Sequence, residues 1–368
     1  MQKTAEHDTF LMDRLSCAVD IGTTNIELAL VDLASGEIVA RHGFVNPQRA
    51  FGADVISRIH AANNGHLEEM QDLIQNALAD GIKSLCENKI SEIVVAGNTA
   101  MIHFFLGLSC EGLGKFPFET ADTKLPQNII PWLTPFVGGD ITAGLLHVLP
   151  LAAAAGKKRF ILIDLGTNGE MVFYDNGKLT VAAAAAGPAF ERTRGGASAA
   201  ISGLARLIRS GAVDETGFLA PRACVAGDTC SRSRMQLKID DVSDTEKYDI
   251  INFSQKKIRD LQLAKSAVRS GLEILLEAAE GEPDALYLAG GMGANIDADD
   301  AAAIGLIPPY FCDKTIAVGN SALGGAVRLL LSPESARNDL QEILKKPTEI
   351  ILAEHPNFEK LFIQHISW

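Results

Sequence analysis

The stretch CAVDIGTTNIELALVDLASGEIVA, from Cys17 to Ala40, contains three strand-like apolar runs separated by two small-residue breaks. The breaks are Gly22-Thr23-Thr24 and Ser35-Gly36. Apolar runs of this length bounded by turn residues predict a meander of three antiparallel strands. The pattern returns as FILIDLGTNGEMVFYDNGKLTVA, from Phe160 to Ala182, with Asn176-Gly177 as its second break. Asn-Gly between apolar runs is a strong hairpin signal, and Ser-Gly a weaker one. Asp20, Gly22 and Thr23 of the first copy align with Asp164, Gly166 and Thr167 of the second. One unit is used twice, and a repeat of this size sets the architecture. The expected fold is α/β, with two lobes, each opening on a meander, and a ligand cleft between them.

Working outward, His66 to Cys86 carries Leu67, Met70, Ile74, Leu78 and Ile82 at helical spacing. Glu92 to Ala96 reads as a short strand ending in Gly97-Asn98-Thr99, with Thr99 placed to cap the next helix. Residues 111–137 hold four prolines and read as loop, after which Gly138-Gly139-Asp140 leads into a helix from Ile141 to about Leu149. In the second half, helices are expected at Ala197–Ser210, Ser254–Glu280, near Ala301 and at Ser321–Leu331, with a strand at Ala285–Ala289. The tail reads as a helix followed by a strand at Glu349–Ala353. The expected domains are a tail (1–15), a first lobe (16–155), a second lobe (156–332) and a C-terminal extension packed on the second lobe (333–368).

Composition narrows the function classes. The chain has 368 residues, 33 Lys plus Arg and 46 Asp plus Glu, for a formal charge of -13. That balance argues against non-specific binding to nucleic acid or to an anionic membrane. No run approaches the ~18 consecutive apolar residues of a membrane span. The N-terminal MQKTAEHDTFLMDRLS has no apolar signal core, so a cytoplasmic location is expected. The six cysteines, Cys17, Cys86, Cys110, Cys224, Cys230 and Cys312, form no Cys-x-x-Cys pair. No iron–sulfur cluster is expected in this chain, because clusters take four thiolates in tight groups.

The chemistry concentrates in the two repeated loops. Glycine lets a backbone approach a ligand, and clustered N–H groups make a nest for phosphate oxygens. An Asp at the end of the preceding strand suits Mg²⁺ held through water. Asp20 and Asp164 are therefore the candidate metal ligands. Gly22, Thr23, Thr24, Gly166, Thr167 and Asn168 are the candidate phosphate cradle. A third element, Leu288-Ala289-Gly290-Gly291-Met292-Gly293, is a strand running into a Gly-rich turn on which a flat base can lie. Gly290, Gly291 and Gly293 are its candidate contacts. No Gly-x-x-x-x-Gly-Lys-Ser/Thr loop is present.

This triple pattern resembles the actin, sugar-kinase and heat-shock chaperone ATPase superfamily, which implies two ribonuclease-H-like lobes closing on Mg-ATP. Further blocks resemble the ATPase module of the reductive activators of corrinoid-dependent proteins. They include NPQRAFGADVISRI (Asn46–Ile59), AGNTAM (Ala96–Met101), GGDITAGLL (Gly138–Leu146), AAGPAFE (Ala185–Glu191), IRDLQLAKSAVRSGLEILL (Ile258–Leu276) and VGN (Val318–Asn320). With the loops, they span residues 16 to 331 in the family's order. The resemblance implies ATP-dependent reduction of an inactive Co(II) corrinoid protein, a methyl carrier, to Co(I). It also implies that Asp140 orients or activates the attacking water, with a helix N-cap as the other reading. Glu170 is the second catalytic candidate. Family activators carry an iron–sulfur domain; here about 15 residues precede the first strand. The expected electron source is therefore a separate ferredoxin-like partner. The region after Glu191 reads as shorter than in the family. The resemblance suggests a homodimer. A nucleotide-binding regulatory module without redox activity and a small-molecule kinase remain the alternative functions.

Overall fold

A computed structural model describes residues 14–87, 89–190, 193, 195–220, 253–279, 281–290, 296–345 and 347–368. Both predicted meanders are present. In the first, β1 (Leu15–Ile21), β2 (Asn25–Asp32) and β3 (Glu37–Val45) pair antiparallel in sequence order. β4 (Ile93–Gly97) joins the other edge of β1 in parallel, giving the order β3-β2-β1-β4. A parallel partner needs a long crossover. Here α1 (Val55–Ala61) and α2 (Leu67–Leu85) supply it.

The second sheet repeats the device. β5 (Arg159–Leu165), β6 (Gly169–Asp175) and β7 (Lys178–Ala184) lie side by side, and β8 (Ala285–Gly290) pairs with β5 in parallel. β9 (Thr315–Gly319) and β10 (Thr348–Ile350) complete the order β10-β7-β6-β5-β8-β9. Asn176 and Gly177 between β6 and β7 both have positive φ, 48° and 96°, the backbone a two-residue hairpin turn requires.

The described residues fall into two compact units. One is drawn from Met1–Lys158, Tyr174–Val181 and Asn320–Glu349, the other from Arg159–Phe173, Ala182–Gly319 and Ile350–Trp368. The lobes expected from sequence were continuous; these units are not. In the first unit, α2 buries Met70, Ile74 and Leu78 against Val19, Ile21 and Leu28 of the sheet. Each such side chain contributes about 1.5–3 kcal/mol by leaving water. α3 (Thr99–Leu106) joins the same cluster. α4 (Gly139–Ala154) packs against α8 (Ser321–Leu331), and α8 packs on β1 and β4. A Cβ on Gly325 would lie 1.9 Å from the Ala143 carbonyl oxygen, so α4 and α8 meet backbone to backbone. That contact explains why a helix late in the sequence belongs with the first meander. α9 (Pro333–Ile343) follows on the same unit.

In the second unit, Ile161, Ile163, Met171 and Leu288 of the sheet meet α5 (Gly196–Arg209) and α6 (Gln255–Ala278) in one core. α7 (Ala298–Ala303) and α10 (Phe358–Gln364) add Ala301 and Leu361 to it. Three local expectations shift. Asn98, not Thr99, caps α3. α4 starts two residues earlier than expected and runs through Pro150 to Ala154. The tail strand is Thr348–Ile350, followed by a 3-10 turn at Leu352–Glu354.

Candidate functional site

In the first unit, Asp20 is the penultimate residue of β1, half-buried, opposite Glu27 of β2 and Ala96 of β4. The turn Gly22-Thr23-Thr24 follows. A Cβ on Gly22 would lie 2.6 Å from the Asn25 carbonyl oxygen, so the turn closes this tightly only with glycine. Three asparagines from three separate segments hold this loop. Asn46 Nδ2 donates to the Gly22 carbonyl at 2.8 Å, and its Oδ1 accepts from Gln48 N at the start of a short 3-10 helix. Asn98 Nδ2 donates to Thr23 Oγ1 at 3.0 Å, and its Oδ1 caps α3 by accepting from Met101 N. Asn320 Nδ2 donates to Asp20 Oδ2 at 2.8 Å and Glu27 Oε2 at 3.1 Å, and its Oδ1 caps α8. An amide both accepts and donates. Each asparagine spends its oxygen on a helix start and its nitrogen on the loop or on the strands that flank it.

The N-terminus of α4 meets the same edge of the sheet. A Cβ on Gly139 would lie 2.4 Å from the Ile130 carbonyl oxygen and 3.1 Å from that of Gly97. A Cβ on Gly138 would lie 2.5 Å from Asn98 Cα. Gly138 is the N-cap, without a side-chain cap, and Asp140 lies in the first turn with Oδ1 accepting from Ile141 N at 2.9 Å. Asp140 is thus not the N-cap. Helix N–H groups left without a side-chain cap favour an anion.

The second unit carries the parallel arrangement. Asp164 is penultimate in β5, half-buried, opposite Ala289 of β8, with Leu165 opposite Gly290. The equivalent pairs in the first unit are Asp20 with Ala96 and Ile21 with Gly97. The repeat therefore extends beyond the meander to the Ala-Gly that ends each parallel strand. In the turn, Gly166 N donates to the Asn168 carbonyl at 3.0 Å, and Thr167 is buried. Glu170, on β6, is buried as well, which removes a surface role for it. Gly290 is buried, and the nearest atom of the described residues to a Cβ added there would be 3.6 Å away. Gly291 and Gly293 lie outside the described residues, as do Glu191, Arg192 and Arg194.

His103 is fully buried, with Nδ1 donating to the Thr99 carbonyl at 2.7 Å and Nε2 accepting from Ala121 N at 3.1 Å. Both ring nitrogens are committed to the fold. Among the described residues no helix is long and apolar enough to cross a membrane.

Mg²⁺ and a nucleotide are the groups the repeated loops imply, and the chain's own atoms fit them. Each loop places a half-buried carboxylate at a strand end beside a Gly-Thr turn. In the first unit that turn is fixed by amides that leave it uncharged.

Sequence reading found the loops but not Asn46, Asn98, Asn320 or Glu27. The available signal was positional: Asn46, Asn98 and Asn320 stand where a strand or loop turns into a helix, in the NPQ, GNT and VGN blocks.

Comparison with known proteins gives consistent results. A family model described as the RACo middle region matches residues 15–129. A second, described as the C-terminal domain of RACo, the ASKHA domain, matches 158–200 and 195–368. The chain is 31% identical over 422 aligned residues to the corrinoid activation enzyme RamQ of Eubacterium limosum, covering 95% of this chain and 69% of that protein. It is 28% identical over 123 residues to the [Co(II) methylated amine-specific corrinoid protein] reductase of Methanosarcina barkeri, covering 32% of this chain and 22% of that protein. The solved structure of a reductive activator for corrinoid, iron–sulfur protein superposes with a TM-score of 0.80 at 27% identity, covering 97% of this chain and 66% of that one. The chain thus spans about two thirds of the length of the activators it matches over most of its own. The α/β fold is that of the ASKHA domain.

Proposed function

The chain belongs to the family of the RACo C-terminal ASKHA domain, and from that premise we propose that it is the ATPase module of a corrinoid-protein reductive activator. The reading couples ATP binding and hydrolysis to one-electron reduction of a Co(II) corrinoid methyl carrier to Co(I). The electron comes from a separate ferredoxin-like iron–sulfur partner. The observation that carries it is the 31% identity with a corrinoid activation enzyme across 95% of this chain.

Asp20 and Asp164 serve as the Mg²⁺ ligands, through water. Gly22, Thr23, Thr24, Gly166, Thr167 and Asn168 hold phosphate oxygens, and Gly290, Gly291 and Gly293 hold the adenosine. Bound Mg²⁺ supplies charge neutralisation at the phosphates. Asp140, in the first turn of α4, orients the attacking water, with Glu170 as the second candidate. ATP does work on the corrinoid partner only by binding two states of the protein differently. A homodimer and a cytoplasmic location complete the reading.

The test is reduction of a purified Co(II) corrinoid protein by an external one-electron donor, followed by the Co(I) absorption band. The protein with Mg-ATP should raise the Co(I) yield, and Asp20→Ala and Asp164→Ala should abolish the effect. An unchanged yield sinks the activator reading. Mg-ATP binding and a corrinoid-protein complex without reduction would leave a regulatory module, and a phosphorylated small molecule would leave a kinase.

A further inference from the structure

Asn320 does more than cap α8. It is the first residue of the first unit after the chain leaves the second at Gly319, whose φ is 63°. Its Oδ1 accepts from Leu323 N at 2.7 Å. Its Nδ2 has two hydrogens, and the two short contacts it makes are to carboxylates: Asp20 Oδ2 at 2.8 Å and Glu27 Oε2 at 3.1 Å. Asp20 and Glu27 are direct cross-strand partners on β1 and β2. Like charges directly opposite each other on a strand pair repel. A Lys or Arg between them would cancel that charge. A neutral amide holds both carboxylates without adding a charge of its own.

We propose that Asn320 is a positioning residue of the Mg²⁺-nucleotide site, aligning Asp20 by tying it to Glu27. The inference rests on the nucleotide reading given above. It gives the VGN block a role that capping alone does not require, because Ser or Asp would cap the helix equally well. It also brings Glu27 into the site, as the second anchor of the amide. Losing a group that orients a metal's ligands typically costs about 10–100-fold in metal affinity.

The experiment is calorimetric titration of the full chain with a non-hydrolysable ATP analogue across a Mg²⁺ series. Wild type is compared with Asn320→Ser and Glu27→Ala. Ser keeps an oxygen for Leu323 N but has no second donor, so it separates the cap from the bridge. With Asn320→Ser, the thermal midpoint and metal-free analogue affinity should stay near wild type. The Mg²⁺ concentration at half-saturation should rise about tenfold. In turnover, kcat should fall at fixed Mg²⁺ while KM for ATP moves little. Wild-type binding together with an unshifted Asn320→Ser overturns the inference alone. A wild type that binds no analogue with Mg²⁺ overturns the nucleotide reading and the inference with it. Should Asn320→Ser fail to fold, Glu27→Ala, which removes the acceptor, decides: a raised Mg²⁺ requirement supports the bridge, and an unchanged one overturns it.

Discussion

Asn98 Nδ2 donates to Thr23 Oγ1 at 3.0 Å across 75 residues of sequence, while Asn98 Oδ1 accepts from Met101 N. One side chain ties the start of α3 to the first phosphate-type loop. Asn98 and Thr23 are both buried, so neither group has water as a substitute partner. Asn98→Ala should destabilise the protein by about 1–2 kcal/mol, from a lost cap and a lost buried bond. Asn98→Ser keeps the cap and should lose about half as much. Urea unfolding of the two variants measures both, and an Asn98→Ser as stable as wild type would mean that the Thr23 bond contributes nothing.

The parts legible in sequence are those that act locally. The meanders, the Asp-x-Gly-Thr loops and the amphipathic spacing of Met70, Ile74 and Leu78 all depend on near neighbours. What sequence did not show are relations between distant segments. Asn46, Asn98 and Asn320 look like ordinary caps until the fold brings their amides to residues 20–27. The grouping of 320–349 with the first meander depends on the contact of Gly325 with Ala143, which linear composition cannot carry. The Ala96-Gly97 and Ala289-Gly290 pair escapes notice because two residues are too short a repeat to stand out.

His103 should make stability pH-dependent. Burial holds its pKa below the ordinary 6.5, outweighing the bond to the Thr99 carbonyl, which pulls the other way. The folded ring stays neutral while the unfolded chain takes up a proton below about pH 6.5. The unfolded state then binds more protons, so stability is lost as pH falls through that range and rises with pH across it. Half-buried His147, lowered by desolvation and by Arg328, adds the same sign. Each group can contribute a slope of up to about 1.4 kcal/mol per pH unit. Unfolding free energies from pH 7 to pH 5 should show a shallower slope in His103→Gln than in wild type. Parallel slopes would refute the assignment.

Lys265 anchors the C-terminal residues to α6. Its ammonium donates to the carbonyls of His365 at 2.5 Å and Ser367 at 2.7 Å, and lies 4.9 Å from the centre of the Trp368 ring. Burial, with a smaller effect from Arg269, pulls its pKa down to about 8. Between about pH 8 and the unfolded value of 10.5, the unfolded chain holds the extra proton. Stability from this group therefore rises with pH across that window. The difference in unfolding free energy between wild type and Lys265→Met should grow from pH 7.5 to pH 9.5. Backbone amides of 362–368 should also exchange faster in the variant. A difference that stays constant with pH contradicts a depressed Lys265.

Two glycines of the first unit separate two physical requirements. Gly325 faces backbone: an added Cβ would sit 1.9 Å from the Ala143 carbonyl oxygen and 2.4 Å from its carbonyl carbon. No side chain can move aside, so α4 and α8 must part. Gly325→Ala should cost about 3 kcal/mol, the upper end for overpacking. Among the described residues no atom lies within 4 Å of a Cβ on Gly36, whose φ is 76°, so Gly36→Ala pays only the left-handed backbone, about 1–2 kcal/mol. The two also differ in where the loss appears. Gly325→Ala should loosen hydrogen exchange along both α4 and α8, whereas Gly36→Ala should affect only the β2–β3 turn. Equal, local effects at the two positions would mean that the α4–α8 crossing accommodates a methyl group, and that the backbone contact is not what joins residues 320–349 to the first meander.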